Sequence, residues 1–458
     1  MTNGKRKYVG HLKDYCVNST LAGFSYIANS NLHIIERVFW LICVLLSAMG
    51  SYVLISQFES EFNSRAVSIV LESLPWTRSF QFPTIAVCEL QNKKTLPEGV
   101  EDYVESLVPD GAKYNDGVED FMSSLVFAHA YIEGKINSWC TKECQNSDNC
   151  AKCPETGWRM LHERFRTNCS DFFVSCELSL KPFECCAYFL PLITPHGNCF
   201  MLNSLLNNKR GSPTWFNNKV DPMTGVAKLK VVTKKEIQLS VLNEEDLPQN
   251  ELASFKVSAR LGQERIFQIF MHTTGNDAGV REIPPEYRNC RFPDELIANS
   301  AYRAYSISTC FFDCLRFYQM KICNCSSFYL MPEPMAKVPD CDLEGFRCLN
   351  EYHSIRPATQ SLLPWSNSSY SCHCMPSCNE IDFKRVYENE VQLRTSASYA
   401  TITVNIPELS TERFRRQAMR TRLDIVVTIG GILGLFLGAS ILSGIELVYY
   451  FTLRWWNN

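Results

Sequence analysis

The residues best equipped for chemistry lie near the end of the chain, in "GLFLGASILSGIELVYYF", Gly434 to Phe451. This apolar run contains Gly434, Gly438 and Gly444, two serines, Ser440 and Ser443, and one acid, Glu446. Gly438, Ala439 and Ser440 are three small residues in a row. Non-helical backbone at membrane depth is tolerated only where it is buried in protein or lines water. A helix loosened at Gly438–Ser440 would offer carbonyl and hydroxyl oxygens to a partly dehydrated cation. Glu446, further along, would attract cations and repel anions, because an ionisable group within a span marks function by default. The blander reading makes Gly430, Gly434 and Gly438, at i, i+4 and i+8, a close-packing helix face. It also lets Glu446 snorkel to the interface. Packing alone does not explain the small polar residues that follow.

The other reactive side chains are thiols. Of 22 cysteines, Cys16 and Cys43 precede or enter the first apolar segment, and the other twenty fall between Cys88 and Cys378. "CHCMPSC" (Cys372, His373, Cys374, Cys378) and the pair Cys150/Cys153 have spacings that zinc can use. Disulfides in an oxidising compartment are the favoured reading, and sequence alone does not give their pairing. His196, His272 and His353 show no Ser/His/Asp arrangement, and no Walker loop or HExxH motif occurs. No enzyme, metal or cofactor is expected. The formal net charge of −3 with 20% charged residues gives no sign of a nucleic-acid partner. Glu244, Glu245 and Asp246 read as a solvated charged run rather than an acidic pocket.

Two segments can position these groups. Val38–Ser56 is uncharged over 19 residues, and Ile425–Phe451 carries only Glu446. About 20 apolar residues cross the ~30 Å hydrocarbon layer. The first lies too deep, without a cleavage site, to be a removable signal, and reads as a signal anchor. Lys5, Arg6, Lys7, Lys13 and Arg37 favour a cytoplasmic N-terminus. Arg413, Arg415, Arg416, Arg420 and Arg422 oppose that orientation, but long translocated domains largely escape the charge rule. The predicted organisation is a cytoplasmic tail 1–37, a first span 38–56, a cysteine-rich extracellular domain 57–424, a pore-lining second span 425–451 and a cytoplasmic tail 452–458. Asn168, Asn324 and Asn367 begin N-x-Ser/Thr sites on the outer side. Alternating stretches between Lys228 and Thr273 and around "SASYATITVNIPEL" predict strands. One pore helix cannot enclose a channel, so the chain is expected to assemble around a symmetry axis.

"GGILGLFLGASILSGIELVYY" closely resembles the second membrane segment of the degenerin, epithelial sodium channel and acid-sensing channel superfamily. "FPTIAVC", "GNCFMLN", "YSISTCFFDCLRFYQMKICNCSSFYLMP" and "CHCMPSC" resemble further motifs of that family, in the same order. The extra cysteines between Cys140 and Cys186 and the brief C-terminal tail are most similar to arthropod pickpocket-type members. The resemblance implies an α+β membrane protein with two transmembrane helices flanking a disulfide-rich, clenched-hand extracellular domain. It implies a homo- or heterotrimer with related subunits, set among membrane lipids in the plasma membrane, with both termini cytoplasmic. The expected function is a pore-forming subunit of an amiloride-sensitive, stimulus-gated Na⁺ channel in sensory or epithelial cells.

Carried over residue by residue, the resemblance makes Gly438, Ala439 and Ser440 the selectivity filter. Val427, Thr428, Gly431, Gly434 and Glu446 become pore and vestibule residues, with Val427 near the family's small gate residue. Ala22 and Gly23 occupy the His-Gly gating motif, with Ala22 in place of the histidine. The implied disulfides are Cys88–Cys199, Cys290–Cys378, Cys310–Cys374, Cys314–Cys372, Cys323–Cys348 and Cys325–Cys341, with Cys176 joined to Cys185 or Cys186. Thr428 and Tyr449 stand where acid-sensing members carry acids, so proton gating is not predicted. Two other readings are weighed: a non-conducting accessory subunit, which Ala22 suggests, and a two-pass lipid-scavenging receptor. The latter needs no break at Gly438–Ser440. Protons, peptides, chemosensory ligands and force all act on relatives with these motifs, and the composition favours none.

Overall fold

The strand Thr84–Glu89 is buried at every position, which marks a sheet covered on both faces. In the computed structural model it is the centre of five antiparallel strands. Their order is Phe255–Ala259, Ile237–Leu242, Thr84–Glu89, Gly197–Leu202 and Phe189–Thr194. The structure describes residues 13–64, 66–74, 80–90, 99–107, 153–195, 197–216, 219–220, 227–248, 255–351, 372–392, 398–407, 412–419 and 422–456. Successive side chains on a strand point to opposite faces. Ile85 and Val87 therefore join one core with Phe172, Phe200, Phe267 and Ile402. Ala86 and Cys88 join the other with Trp158, Phe312, Phe328 and Phe346. Burying each of the large apolar side chains among them contributes about 1.5–3 kcal/mol. The larger sheet includes Ala227–Thr233, Gln263–Asn276 and Ala400–Ile406, the strands predicted by alternation. Gln263–Asn276 pairs parallel with Ala400–Ile406 and antiparallel with Ile381–Gln392.

On the helix-covered side, Ile307–Cys323 starts at a capping box in which Ser306 and Thr309 satisfy each other's backbone N–H. It stops at Asn324, whose φ of 55° is left-handed, a conformation asparagine tolerates. Cys310 and Cys314, one turn apart, bond to Cys374 and Cys372. Cys323–Cys348 ties the end of this helix to Leu343–Glu351, and Cys325–Cys341 joins the residues just outside the two helices. Cys88–Cys199 joins neighbouring strands, and Cys290–Cys378 closes a loop of 88 residues. All six pairs follow the pattern the resemblance implies. Cys176 bonds to Cys185, which leaves Cys186 to Cys169. The zinc alternative for "CHCMPSC" falls, since its three thiols are all in disulfides. Cys140 and Cys150 lie outside the described residues.

The acidic run is not solvated, which corrects the sequence expectation. The turn after Ile237–Leu242 tucks beside Ser377 and the first turn of Ile307–Cys323, and side-chain donors replace water there. Ser377 donates to Glu245, which is 3% exposed. Asp246 accepts from Asn243 at 2.9 Å and Ser308 at 3.1 Å, and Glu244 is held by Arg210 at 2.6 Å. Burial, with the charge of Asp246 beside it, pushes the Glu245 carboxyl up to about 8.

The chain divides into two compact units. One comprises Leu71–Gly275 and Asn289–Arg415; the other comprises Met1–Val70, Asn276–Arg288 and Arg416–Asn458. In the second unit, Ile34–Ser64 is a single helix. Within its stretch Ile34–Glu61, the most apolar 18 residues have a mean hydropathy of 2.3, and the stretch is long and apolar enough to cross a membrane. Near the other end lie two helices, Arg422–Leu437 and Ile441–Phe451, bent by 74° at the residues between them. They pass the same length and composition test only when taken together.

The Glu245 shift has a definite sign. Its folded-state pKa lies above its unfolded one, so the protonated carboxyl stabilises the fold fully below about pH 4.5. That contribution is lost as pH rises through about 8. Glu245→Gln keeps the neutral shape at every pH. We expect the thermal midpoint of the purified chain to fall less between pH 5 and 8 in Glu245→Gln than in the wild type. Parallel pH profiles would show that Glu245 is ionised in the fold.

Candidate functional site

The upstream half-helix ends where the sequence is smallest. Gly438 has φ +64° and its N–H bonds to the carbonyl of Gly434 at 3.0 Å, the left-handed helix cap that glycine suits best. Ala439 N–H bonds to the Leu433 carbonyl at 3.2 Å. The downstream half starts at once: Ser440 caps it, accepting from Ser443 N–H, while the Ser443 hydroxyl accepts from Ser440 N–H, both at 3.2 Å. Such a cap contributes about 1 kcal/mol. The break is therefore a built terminus followed by a built start.

The N-terminal segment completes it. Ala22 N–H donates to the Leu437 carbonyl at 3.0 Å, so one more helix-end carbonyl is satisfied from outside the helix. Thr20 donates its hydroxyl proton to Glu446 Oε2 at 2.8 Å, and its backbone N–H reaches the same oxygen at 3.3 Å. The Thr20 and Ser443 hydroxyls lie 2.8 Å apart. Residues 13–18 are helical, and Tyr15 is buried with its ring centroid 5.5 Å from Tyr450 and 5.6 Å from Phe451. Asp14 pairs with Arg454 at 2.9 Å.

Two glycines make room for this arrangement. Gly23 has φ +89°, and a Cβ there would lie 2.6 Å from the Val44 side chain. A Cβ on Gly50 would lie 2.8 Å from the Phe436 ring, so the long apolar helix and the upstream half meet closely there. Tyr26 stacks on Trp40 with ring centroids 4.6 Å apart.

The structure thus gathers Gly438, Ala439, Ser440, Ser443 and Glu446 with Ala22 and Thr20. All the side-chain donors and acceptors in the group are oxygens, a ligand set suited to hard cations rather than soft metals. Val427 lies 11 residues before Gly438, about 16 Å along a helix, and is exposed. Thr428 is half-buried, and neither belongs to the cluster. Gly430, Gly431 and Gly444 have no atom within 4 Å of where a Cβ would stand, so no neighbour among the described residues requires glycine there. Thr20, Asp14, Tyr15 and Gly50 escaped sequence reasoning. No local signal could reveal them, because Thr20 meets Glu446 across 426 positions. Asn168 and Asn324 are exposed. The Ser326 hydroxyl of the second site is buried and bonded to Gln319 at 3.4 Å. Asn367 lies outside the described residues.

A family model described as amiloride-sensitive sodium channel matches residues 15–450, nearly the whole chain. The chain belongs to the amiloride-sensitive sodium channel family. It is 21% identical to Pickpocket protein 19 of Drosophila melanogaster, covering 96% of this chain and 90% of that one. Sodium channel protein Nach of the same fly is 20% identical, covering 97% of this chain and 88% of that one. Human Acid-sensing ion channel 2 is 25% identical over 57% of this chain and 53% of its own length.

The left-handed cap makes Gly438 the most constrained position of the site. A side chain at that φ costs about 1–2 kcal/mol, less for asparagine. We expect thermal midpoints of the purified protein to rank wild type above Gly438→Asn, then Gly438→Ala, then Gly438→Val. A Gly438→Ala midpoint equal to wild type would show that the left-handed turn is not kept.

Proposed function

We propose that this chain is a pore-forming subunit of an amiloride-sensitive, stimulus-gated Na⁺ channel. In this reading the chain crosses the plasma membrane twice with both termini cytoplasmic, and three related subunits place copies of the broken helix around one axis. The cysteine-rich body is the extracellular, clenched-hand part that receives the stimulus, and Gly438–Ser440 is the selectivity filter. The observation that carries the proposal is the break itself. An apolar segment is interrupted by a left-handed glycine and restarted by a serine cap, with Glu446 close behind. Such an interruption is costly in hydrocarbon and useful beside water. Membership of a sodium channel family supports it.

Expressed alone or with related subunits, the wild-type chain is expected to carry a Na⁺ current that amiloride blocks. Ser440→Phe should abolish the current or remove its preference for Na⁺ over K⁺. The proposal fails if surface-expressed protein leaves Na⁺ conductance and selectivity unchanged with every related subunit tested. Specific lipid binding without conductance would point instead to a receptor.

A further inference from the structure

The hydroxyls around the break can be assigned a direction. Each has one proton and two lone pairs, whereas an ionised carboxylate only accepts. The proton of Thr20 goes to Glu446 Oε2 at 2.8 Å. The 2.8 Å contact between Thr20 and Ser443 must then use the proton of Ser443. With that proton engaged, the 3.2 Å contact between Ser443 and Ser440 uses the proton of Ser440. Ser443 Oγ now has both lone pairs filled, by the Ser440 hydroxyl and by Ser440 N–H. Ser440 Oγ has one lone pair filled by Ser443 N–H. Its remaining outward feature is a lone pair, and Ser440 is exposed.

We propose that Thr20 is a positioning residue for the filter. By anchoring the chain of hydroxyls to Glu446, it turns the Ser440 proton inward and presents an oxygen lone pair to a passing monovalent cation. Without Thr20 the Ser443 proton is free to turn toward Ser440, whose own proton then points outward and opposes a cation. This inference rests on the reading of Gly438–Ser440 as the narrow, wet part of the pathway. It adds to that reading a residue of the N-terminal segment that never enters the second apolar stretch.

The test uses the full-length chain purified in detergent, with Na⁺ itself as the probe. Thermal midpoints are measured in NaCl and in choline chloride at equal ionic strength. The wild type and Thr20→Ser, which keeps the hydroxyl, are expected to gain stability in NaCl, and Thr20→Val to lose that gain. Thr20→Val and Glu446→Gln are expected to be non-additive in choline chloride, because each breaks the same chain. Where the wild type conducts, Thr20→Val should lower the Na⁺-over-K⁺ permeability ratio roughly fivefold, the worth of one hydrogen bond of ~1 kcal/mol. Thr20→Ser should preserve the ratio. The inference is overturned if Thr20→Val keeps the NaCl gain, if the wild type shows none, or if the two substitutions are additive. A wild type that gains stability in NaCl yet never conducts would overturn the channel reading while leaving the role of Thr20 standing.

Discussion

A helix that stops and restarts strips backbone groups of their partners, and each one left unpaired away from water costs several kcal/mol. The interruption at Gly438–Ser440 creates this problem, and the surrounding unit is arranged around its solution. Left-handed Gly438 gives its N–H to the Gly434 carbonyl, the Ser440 cap takes the N–H of Ser443, and Ala22 N–H donates to the Leu437 carbonyl. For Ala22 to reach that carbonyl, the N-terminal segment must fold back against the break. That in turn needs a left-handed Gly23 beside Val44 and the close approach of Gly50 to Phe436. A local irregularity in one helix thereby dictates residue types in two distant stretches.

The cysteine-rich unit solves a different problem, which is rigidity without a single simple sheet. One sheet is covered on both faces by separate cores, and its helix-covered side is fastened by disulfides, each contributing about 2–4 kcal/mol. Charge completes the fastening. Glu72 on strand Val67–Ser73 bonds to Arg413 at 2.6 Å and Arg415 at 3.1 Å on Glu412–Ala418. The hydrogen bond from Arg413 holds the Glu72 carboxyl below its ordinary range. The arginines that sit awkwardly with a charge-counting rule for membrane orientation thus include two with a structural task.

Features set by a few neighbouring residues were readable without coordinates. Three small residues in a row marked the break, and alternation marked Ala227–Thr233, Gln263–Asn276 and Ala400–Ile406. Thiol partners were readable only through likeness to a family, because spacing gives no pairing. Even then Cys185 and Cys186, adjacent but pointing differently, stayed ambiguous until Cys169 was seen to take one of them. The acidic run misled because its burial comes from Ser377 and Ser308, more than sixty residues away. Thr20 was silent for the same reason. A hydroxyl in a polar tail acquires meaning only from what the fold brings against it.

The five disulfides from Cys290 to Cys378 lie strictly one inside another: Cys325–Cys341 within Cys323–Cys348, then Cys314–Cys372, Cys310–Cys374 and Cys290–Cys378. A nascent chain therefore exposes each second thiol in the order in which the rings enclose one another, from the innermost outward. Every ring that closes shortens the effective loop of the next, which lowers its entropic cost. No ring has to be threaded through another, so the whole ladder can be completed during synthesis by simple zippering.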